Sequence, residues 1–314
     1  MGSANGLLEW APRPSAEGQG ALGFRRMSIR VHIGGRVCLP EEAKVSVFDR
    51  GFLYGDSVYE TIATAHGRLF ALAEHLTRLE RSADRIGLRP PPRSEMECAS
   101  ADTVAAAGNR ESRVRIMLTR GVGKLDLDPA SADDPQLLVF VFPLNPPSPE
   151  MYARGVSVAI VSVARNSPQA IDPAVKSGNY LNNVLAVGEA RRRSGAYEAI
   201  LCAADGTVAE GASSNVFAVD GGAVLTPPLS VGILDGITRG KVLELCRANR
   251  FAVREEQISP DQLRSAAEVF ITSATRSILP VTRVDDRPIG KGLPGPVTRR
   301  LMDLFAELVR YGGQ

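Results

Sequence analysis

A lysine set among small and polar residues is the first candidate for chemistry in this 314-residue sequence. Lys176 follows Ala174-Val175 and precedes Ser177-Gly178-Asn179-Tyr180, so we interpret it as closing an apolar strand. An amine held in a pocket there is desolvated, which lowers its pKa and leaves it nucleophilic. The alternative is an ordinary surface lysine at the end of a strand.

A carboxylate in a second segment has matching chemistry. Glu210 is predicted to end a short strand, and the small residues Gly211-Ala212-Ser213-Ser214 follow it. Such a carboxylate could keep a heterocyclic ring nitrogen protonated, and its small neighbours would let a flat ligand approach the backbone. A solvated acid in a hairpin is the alternative.

A predicted helix start offers a site for an anion. Residues 232–239 (GILDGITR) open a helix, where free backbone N–H groups, the hydroxyl of Thr238 and the positive end of the dipole suit a phosphate. The alternative is a helix that is simply capped by Asp235 or Thr238.

Two more segments could contact the same anion. Residues 270–281 read as a buried strand that runs into a hydroxyl-rich turn with further N–H donors. Arg78, on a predicted amphipathic helix, could give a bidentate contact to phosphate. A surface salt bridge from Arg78 to Glu74 is the alternative.

Together with residues 47–60 (VFDRGFLYGDSVYE), these segments resemble in order and spacing the class IV, or fold type IV, pyridoxal phosphate aminotransferases. That group holds branched-chain aminotransferases, D-amino acid aminotransferases, (R)-selective amine transaminases and aminodeoxychorismate lyases. The resemblance extends from about Met27 to the C-terminus. It implies a two-domain α+β fold of type IV, pyridoxal 5'-phosphate as cofactor and a homodimer with sites at the subunit interface.

The resemblance also implies roles for residues that contact the cofactor ring. Lys176 would form the covalent Schiff-base link to pyridoxal phosphate and act as the catalytic base and acid. Glu210 would pair with the pyridine nitrogen, and Leu234 would pack against the face of the ring. Tyr180 resembles the tyrosine that reaches the phenolic oxygen of the cofactor in branched-chain enzymes.

The phosphate would be held at the predicted helix start. The resemblance implies that Arg78, Ile237 and Thr238 bind it, the last two through backbone N–H and hydroxyl groups. Ala274 stands where many relatives have a hydroxyl residue, so at this position only a backbone N–H donor remains.

Substrate residues follow from the same resemblance. Tyr54, Tyr59 and Tyr180 resemble positions that line an apolar side-chain pocket in branched-chain enzymes, with Tyr54 contributed across the dimer. The N–H groups of Ala274 and Thr275 would take the α-carboxylate. An L-branched-chain amino acid is therefore the first choice of donor, and a 2-oxo acid such as 2-oxoglutarate is the acceptor.

Other features keep alternatives open. The Tyr-x-Arg-Pro pattern of branched-chain enzymes is absent near residues 114–121, and residues 119–123 (TRGVG) look more like the D-amino acid and lyase branches. The Arg-x-His of D-amino acid enzymes is missing too. A D-amino acid or (R)-amine transaminase comes second and an aminodeoxychorismate lyase third. Arg120 or Lys124 could bind a second carboxylate, or lie in a solvated loop.

Periodicity predicts the elements that position these residues. Helices are expected at residues 71–86, 94–107, 181–194, 238–249 and 297–309, because apolar residues recur at helical spacing. A hairpin at residues 29–39 and strands near 114–118, 137–142, 156–163, 198–203, 216–219, 223–226 and 269–272 complete an α+β pattern without strict βαβ alternation. Four prolines in residues 143–149 form a linker.

The linker predicts two domains, a small one at residues 27–142 and a larger cofactor-binding one at 150–314. Residues 1–26 are rich in Gly, Ala, Pro and Ser, and we expect a disordered extension there.

Charge and composition exclude several classes. Lys+Arg 37 against Asp+Glu 35 leaves a net charge of +2, which gives no field that would attract nucleic acid or a membrane. Residues 191–193 (RRR) read as a charged helix face. No apolar stretch approaches a membrane span. Four scattered cysteines indicate a reducing cytoplasm, and three histidines argue against a multi-histidine metal site. A non-catalytic pyridoxal phosphate-binding protein is the alternative of a different class, and the presence of both Lys176 and Glu210 counts against it.

Overall fold

Two β-sheets, one from each half of the chain, organise the protein in a computed structural model that describes residues 28–167 and 169–311. The extension predicted for residues 1–26 lies outside the described residues. The passage from the first sheet to the second falls between Pro143 and Val156. We propose it as the boundary between the two domains.

The first sheet has six strands, all antiparallel, and three helices accompany it. The strands are β1 (Arg30–Ile33), β2 (Arg36–Cys38), β3 (Ser57–Ala65), β4 (Arg68–Leu69), β5 (Ser112–Thr119) and β6 (Gln136–Pro143). The helices are α1 (Arg50–Tyr54), α2 (Leu72–Arg85) and α3 (Arg93–Ala107). The spatial order of the strands is β2-β1-β6-β5-β3-β4.

Alternation along β3 and β5 gives the first sheet two different faces, because successive side chains of a strand point to opposite sides. Val58 and Ile62 of β3 and Ile116 of β5 pack in a core with Leu76 and Leu79 of α2. Side chains of the opposite face, described below, line a cavity. One strand pair therefore supplies both the core of the first half and a wall of the candidate site.

The second sheet is mixed. Its strands are β7 (Val156–Ile160), β8 (Glu198–Cys202), β9 (Val208–Gly211), β10 (Asn215–Asp220), β11 (Ala223–Thr226), β12 (Val253–Glu255), β13 (Glu268–Ser273), β14 (Ser277–Val284) and β15 (Arg287–Pro288). Its helices are α4 (Pro149–Arg154), α5 (Leu181–Ser194), α6 (Ile237–Ala248), α7 (Pro260–Ser265) and α8 (Pro296–Tyr311). The strand order is β12-β11-β10-β13-β14-β7-β8-β9, with β15 beside β14. Parallel strands β7 and β8 are joined through α5.

The second sheet buries both faces, which explains its continuous apolar strands. In β10, Val216 points into one core, while Phe217 points into the other, which α6 and α8 cover. Phe217 stacks on Phe270 of β13 with 4.8 Å between ring centroids. This rigid layer carries the strand ends from which the site is built.

Most predicted elements lie where they were expected, but several elements, including helices α4 and α7 and strands β4, β12 and β15, were not predicted. The helices predicted at residues 71–86, 94–107 and 181–194 correspond to α2, α3 and α5. Helix α1 and strands β3 and β14 were not predicted, and β7 ends at Ile160 rather than at residue 163. None of the helices within the described ranges combines the length and the apolar composition that crossing a bilayer requires.

Candidate active site

A cavity of about 430 Å³ is lined by residues of both sheets. Ten of the eleven predicted site residues line it: Tyr59, Arg78, Lys176, Tyr180, Glu210, Leu234, Ile237, Thr238, Ala274 and Thr275. Tyr54 does not line this cavity. It ends α1, where the guanidinium of Arg50 lies 5.0 Å from the centre of its ring.

Lys176 lies in an irregular segment, so the expectation that it closes an apolar strand is wrong. Pro173 and a turn, in which the Asp172 carboxylate accepts a hydrogen bond from the N–H of Ala174, break any strand before it. The segment is instead tied to its neighbours through Lys176, whose N–H donates to Ser82 Oγ at 3.2 Å and whose carbonyl accepts from the N–H of Tyr59 at 2.9 Å.

Two tyrosines surround the amine. Lys176 Nζ lies 3.4 Å from Tyr180 Oη and 4.7 Å from the centre of the Tyr59 ring, and the two rings meet edge to face. Burial raises the pKa of Tyr180, but the Lys176 ammonium and a hydrogen bond with Tyr59 outweigh it, so the pKa lies below its usual value. Burial and then Tyr180 raise the pKa of Tyr59. The hydroxyl nearer to the amine is thus the more acidic one.

Glu210 lies in β9, and each of its carboxylate oxygens contacts a polar group of the protein. Its Oε2 accepts hydrogen bonds from the N–H of Leu234 at 3.1 Å and from Asn215 Nδ2 at 3.3 Å. Its Oε1 lies 2.8 Å from Arg165 Nε, as an ion pair without hydrogen-bond geometry. Burial raises the pKa of Glu210 more than Arg165 and the Leu234 N–H lower it. This carboxyl group is therefore poised to share a proton with a basic ligand atom.

The first turn of α6 faces the cavity without a side-chain cap. Gly236 is the N-cap residue, and neither Asp235 nor Thr238 caps the helix, contrary to the alternative reading of this segment. Free N–H groups and the helix dipole at such an end attract an anion. A Cβ atom on Gly236 would overlap Asn215 Oδ1, so the close approach of Asn215 requires glycine here.

Arg78 reaches the same end of α6, where its Nη1 donates to the carbonyl of Asp235 at 2.6 Å. The guanidinium is held by Glu60, which accepts from both Nε and Nη2 at 2.7 Å and contacts His75 Nδ1 at 2.7 Å. Burial opposes the charge of Glu60, but Arg78 and His75 prevail and lower its pKa to about 2. The predicted alternative, a salt bridge from Arg78 to Glu74, does not form, because Glu74 pairs with Lys241.

The turn between β13 and β14 carries Ala274 and Thr275, and Arg276 fastens it. The Arg276 guanidinium donates to Glu198 Oε2 at 2.7 Å and to the carbonyl of Ser213 at 2.6 Å. It thereby ties the turn to the loop between β9 and β10. The side chain of Glu198 is almost fully buried.

Several of these partners escaped the sequence analysis. No local sequence pattern pointed to Arg165, Glu198 or Arg276. Each meets its partner only because sheet pairing brings distant segments together. The spacing of His75 and Arg78, one turn apart on α2, could have drawn attention to a shared partner.

Neither Arg120 nor Lys124 lines the cavity. Arg120 is only 6% exposed and does not lie in a solvated loop. Its guanidinium is bidentate on Asp56 and also donates to the carbonyls of Ile86 and Gly87, so it is engaged within the first half of the chain. Lys124 is exposed.

Comparisons with known proteins agree with this geometry. The family model described as amino-transferase class IV matches residues 57–284. A putative branched-chain-amino-acid aminotransferase of Methanocaldococcus jannaschii is 37% identical over 281 residues, covering 89% of this chain and 96% of that protein. A D-alanine aminotransferase of Bacillus licheniformis is 36% identical over 274 residues, covering 87% and 94%.

Solved structures give the same result. The branched-chain aminotransferase from the thermophilic archaeon Thermoproteus uzoniensis, solved with norvaline, superposes with a TM-score of 0.83 at 31% identity, covering 90% of this chain and 95% of that one. The branched-chain enzyme from Escherichia coli has a TM-score of 0.81 at 30% identity, covering 90% and 94%. A further branched-chain amino acid aminotransferase, solved with pyridoxamine 5'-phosphate, has a TM-score of 0.85 at 33% identity, covering 91% and 95%.

The chain therefore belongs to the class IV aminotransferases. It is a pyridoxal phosphate-dependent transaminase, and the predicted α+β fold of type IV is confirmed.

The cavity fits that cofactor. The uncapped start of α6 and the Arg78 guanidinium suit its phosphate, the Lys176 amine suits its aldehyde carbon, and the buried Glu210 carboxyl suits its ring nitrogen.

Proposed function

We propose that this transaminase moves an amino group between an L-branched-chain amino acid and a 2-oxo acid such as 2-oxoglutarate. The observation that carries the proposal is the aromatic pair Tyr59–Tyr180, which lies against the Lys176 amine inside the cavity. Such a wall suits an apolar side chain next to the reacting carbon. The names of the M. jannaschii and T. uzoniensis relatives support the same donor class.

Three residues would act on the cofactor ring. Lys176 would hold pyridoxal phosphate covalently, Leu234 would pack against the ring, and Glu210 would share a proton with the ring nitrogen. When bound, the cofactor supplies an electron-withdrawing ring that accepts the electron pair released as the α C–H bond breaks. The ion pair with Arg165 opposes the rise that burial causes in the pKa of Glu210, and a carboxylate at this position would hydrogen-bond to a protonated ring nitrogen.

Lys176 would also move the proton. Once the substrate amine has displaced Lys176, its Nζ would be free to take the α-proton as a base. It would then deliver that proton, as an acid, to the carbon derived from the aldehyde of the cofactor. Tyr180 Oη, 3.4 Å away, orients this amine and would reach the phenolic oxygen of the cofactor. The lowered pKa of Tyr180 is consistent with a hydroxyl that lies next to the Lys176 ammonium.

Anionic groups would be bound at two backbone sites. Arg78, Ile237 and Thr238 would hold the phosphate at the start of α6. The N–H groups of Ala274 and Thr275 would take the α-carboxylate, in the turn that Arg276 fastens. Both sites include backbone N–H donors, which do not change protonation state with pH.

A D-amino acid donor is the second candidate, because the B. licheniformis relative is named a D-alanine aminotransferase. A parallel assay separates the two. The purified enzyme, loaded with pyridoxal phosphate, is incubated with 2-oxoglutarate and either L-leucine, D-alanine or (R)-phenylethylamine. We expect the fastest glutamate formation with L-leucine. Turnover of D-alanine alone would replace the first candidate by the second.

A homodimer in a reducing cytoplasm is also proposed. Val47 and Phe48, just before α1, and Phe52 within it expose apolar side chains, as do Leu125 and Leu127 in the loop after β5. The two segments meet, since the N–H of Gly123 donates to the carbonyl of Phe48.

We call this the α1 surface and propose that a second copy of the chain covers it. Tyr54 ends α1 and would reach the partner's cavity there. All four cysteines are free thiols, which suits a reducing compartment.

A further inference from the structure

Asp56 lies between two arginines, away from the cavity. Its carboxylate accepts a hydrogen bond from Arg50 Nε at 3.2 Å and two from Arg120, at 2.6 Å from Nε and 3.0 Å from Nη2. Both arginines are buried, and the side chain of Asp56 is 16% exposed. None of the three residues lines the cavity. This charge cluster therefore stands apart from the residues that would contact substrate or cofactor.

The charge balance of the cluster depends on Asp56. Two guanidinium groups face this one carboxylate, and the carboxylate of Asp126, which is exposed, lies 3.6 Å from Arg50 Nη1. Removing one partner of a buried ion pair leaves the other charge uncompensated, which is strongly destabilising. Without the charge of Asp56, we therefore expect Arg50 and Arg120 to repel each other and to move apart.

The two arginines connect Asp56 to three other segments. Arg50 belongs to α1, and its Nη1 donates to the carbonyl of Asp126 in the loop after β5. Arg120 directly follows β5, and its Nη1 donates to the carbonyl of Gly87 just after α2. Helix α1, the end of α2 and the loop after β5 therefore converge on one carboxylate.

Both chain neighbours of this carboxylate hold the segment that carries Lys176. The carbonyl of Gly55 accepts a hydrogen bond from Asn179 Nδ2 at 3.2 Å, and the carbonyl of Ser57 accepts one from the N–H of Gly178 at 2.9 Å. The two segments are tightly packed, because a Cβ atom on Gly178 would overlap Ser57 Oγ. The position of the Lys176 segment thus depends on the backbone on either side of the cluster.

We propose that Asp56 is a positioning residue for Lys176. By holding Arg50 and Arg120 together, its carboxylate fixes the backbone to which the Lys176 segment is hydrogen-bonded, and it thereby keeps Nζ within reach of the reacting carbon. A displacement of about 1 Å caused by a change far from the chemistry can slow a reaction about a hundredfold. The inference rests on the proposed function, because it takes Lys176 as the group that moves the α-proton.

Exchange of backbone amide protons tests this link without relying on activity. Hydrogen–deuterium exchange is followed by mass spectrometry on peptides that contain Gly178, in the enzyme loaded with pyridoxal phosphate. The wild type is compared with Asp56→Asn, Asp56→Glu and the control Asp126→Asn, which removes an exposed carboxylate near the same Arg50. We expect these peptides to exchange at least about tenfold faster in Asp56→Asn, because the acceptor of the Gly178 N–H is no longer fixed. Asp126→Asn should exchange as the wild type does.

Kinetics of the same variants test the effect on the reaction. The amino donor is the one that the parallel assay ranks first, with either hydrogen or deuterium on its α-carbon. We expect kcat per bound cofactor to fall at least about tenfold in Asp56→Asn, with KM close to the wild-type value. The isotope effect on kcat should rise, because a displaced base makes cleavage of the C–H bond more fully rate-limiting. Asp56→Glu, which keeps the charge, should recover part of kcat, and a variant that was only less stable would show no change in the isotope effect.

Unchanged amide exchange in Asp56→Asn, or equally fast exchange in Asp126→Asn, would overturn the inference. Faster exchange with an unchanged kcat and isotope effect would overturn it as well. Failure of the proposed function looks different. If exchange responds as expected but Lys176→Ala retains turnover, the link from Asp56 to this segment stands, and the proposed role of Lys176 is wrong.

Discussion

Charge pairing governs the residues around Lys176. Glu60 and Glu210 are both buried, yet their pKa values move in opposite directions. Glu60 faces Arg78 and His75 with good hydrogen bonds, which keep it ionised, while Glu210 has an ion pair without such geometry and burial prevails. The two carboxyl groups therefore suit different tasks: one fixes a cation and the other exchanges a proton.

Replacing Glu60 tests the first of these tasks. A folded-state pKa of about 2, below the ordinary 4.5, means that the ionised carboxylate stabilises the fold above about pH 4.5. The contribution is lost as the pH falls toward 2, and it corresponds to roughly 3 kcal/mol. We expect Glu60→Gln to lower the free energy of unfolding by about that amount at pH 7, as measured by urea denaturation.

The control is Glu150→Gln, which breaks an exposed pair with Arg154 and should cost at most about 0.5 kcal/mol. The difference in free energy of unfolding between the wild type and Glu60→Gln should become smaller between pH 4.5 and pH 3. If that difference does not change with pH, or is no larger than the loss in Glu150→Gln, Glu60 does not hold Arg78 through its charge.

The sequence predicted the residues that line the cavity better than it predicted their ion-pair partners. Lys176 and Glu210 stand in segments whose small neighbours and turn residues are visible locally, and Arg78 stands on a helix whose amphipathic pattern is visible. Arg165 meets Glu210 only because β7, β8 and β9 are neighbours in one sheet, and no local pattern encodes that. Ion-pair partners are a tertiary property of the chain.

At the scale of elements, the start of α6 is the feature on which the site depends most. Gly236 leaves room for Asn215, and Asn215 donates to both Glu210 and the carbonyl of Leu234. One glycine thus couples the candidate phosphate site to the carboxyl group proposed to face the cofactor ring. A helix end and a strand end act together here.

Gly236→Ala tests whether Asn215 couples the start of α6 to Glu210. The new methyl group would displace Asn215, so we expect the dissociation constant for pyridoxal phosphate, measured by fluorescence titration, to rise at least about tenfold. Gly240→Ala is the matched control, because a Cβ there meets no atom within 4 Å. It should leave cofactor affinity unchanged and stabilise the fold by about 0.5–1 kcal/mol. Equal affinity in the two variants would show that the close approach of Asn215 to Gly236 does not support cofactor binding.

Periodicity predicted some elements and missed others for identifiable reasons. Helix α2 buries residues 75, 76, 79, 82 and 83, which form one face. Strand β3 escaped because buried Glu60 interrupts its apolar pattern, and β14 escaped because it contains Pro280 and Arg283. A strand that contributes polar residues to the site lacks the regular apolar pattern by which strands are predicted.

At the scale of the whole molecule, the α1 surface stands out, with Phe52 68% and Leu127 80% exposed. Apolar side chains that are this exposed and lie on adjacent segments favour burial by another protein surface. A self-complementary interface of this kind would also bring Tyr54 close to the partner's site.

Charge placed on this surface should separate the subunits. We expect light scattering after size exclusion to give twice the chain mass for the wild type and the single chain mass for the double variant Phe52→Asp/Leu127→Asp. Leu293→Asp, at another exposed leucine, should remain dimeric. A wild type that elutes as a monomer, or a charged variant that stays dimeric, would rule out this surface as the interface.

The arrangement of the two sheets was beyond sequence reasoning, although the class of fold was not. The mixture of predicted strands and helices without strict βαβ alternation indicated α+β, but the order β12-β11-β10-β13-β14-β7-β8-β9 depends on pairings between distant segments. The cavity exists only because β3 and β5 of one sheet face the strand ends of the other.

Whether Lys176 holds the cofactor can be read from a covalent label. The enzyme is loaded with pyridoxal phosphate, reduced with borohydride, digested and analysed by mass spectrometry, beside Lys176→Ala treated identically. We expect a phosphopyridoxyl group on the peptide that contains Lys176 and no labelled peptide in the variant. Labelling of another lysine, or an unlabelled Lys176 in an enzyme that still binds the cofactor, would contradict this expectation.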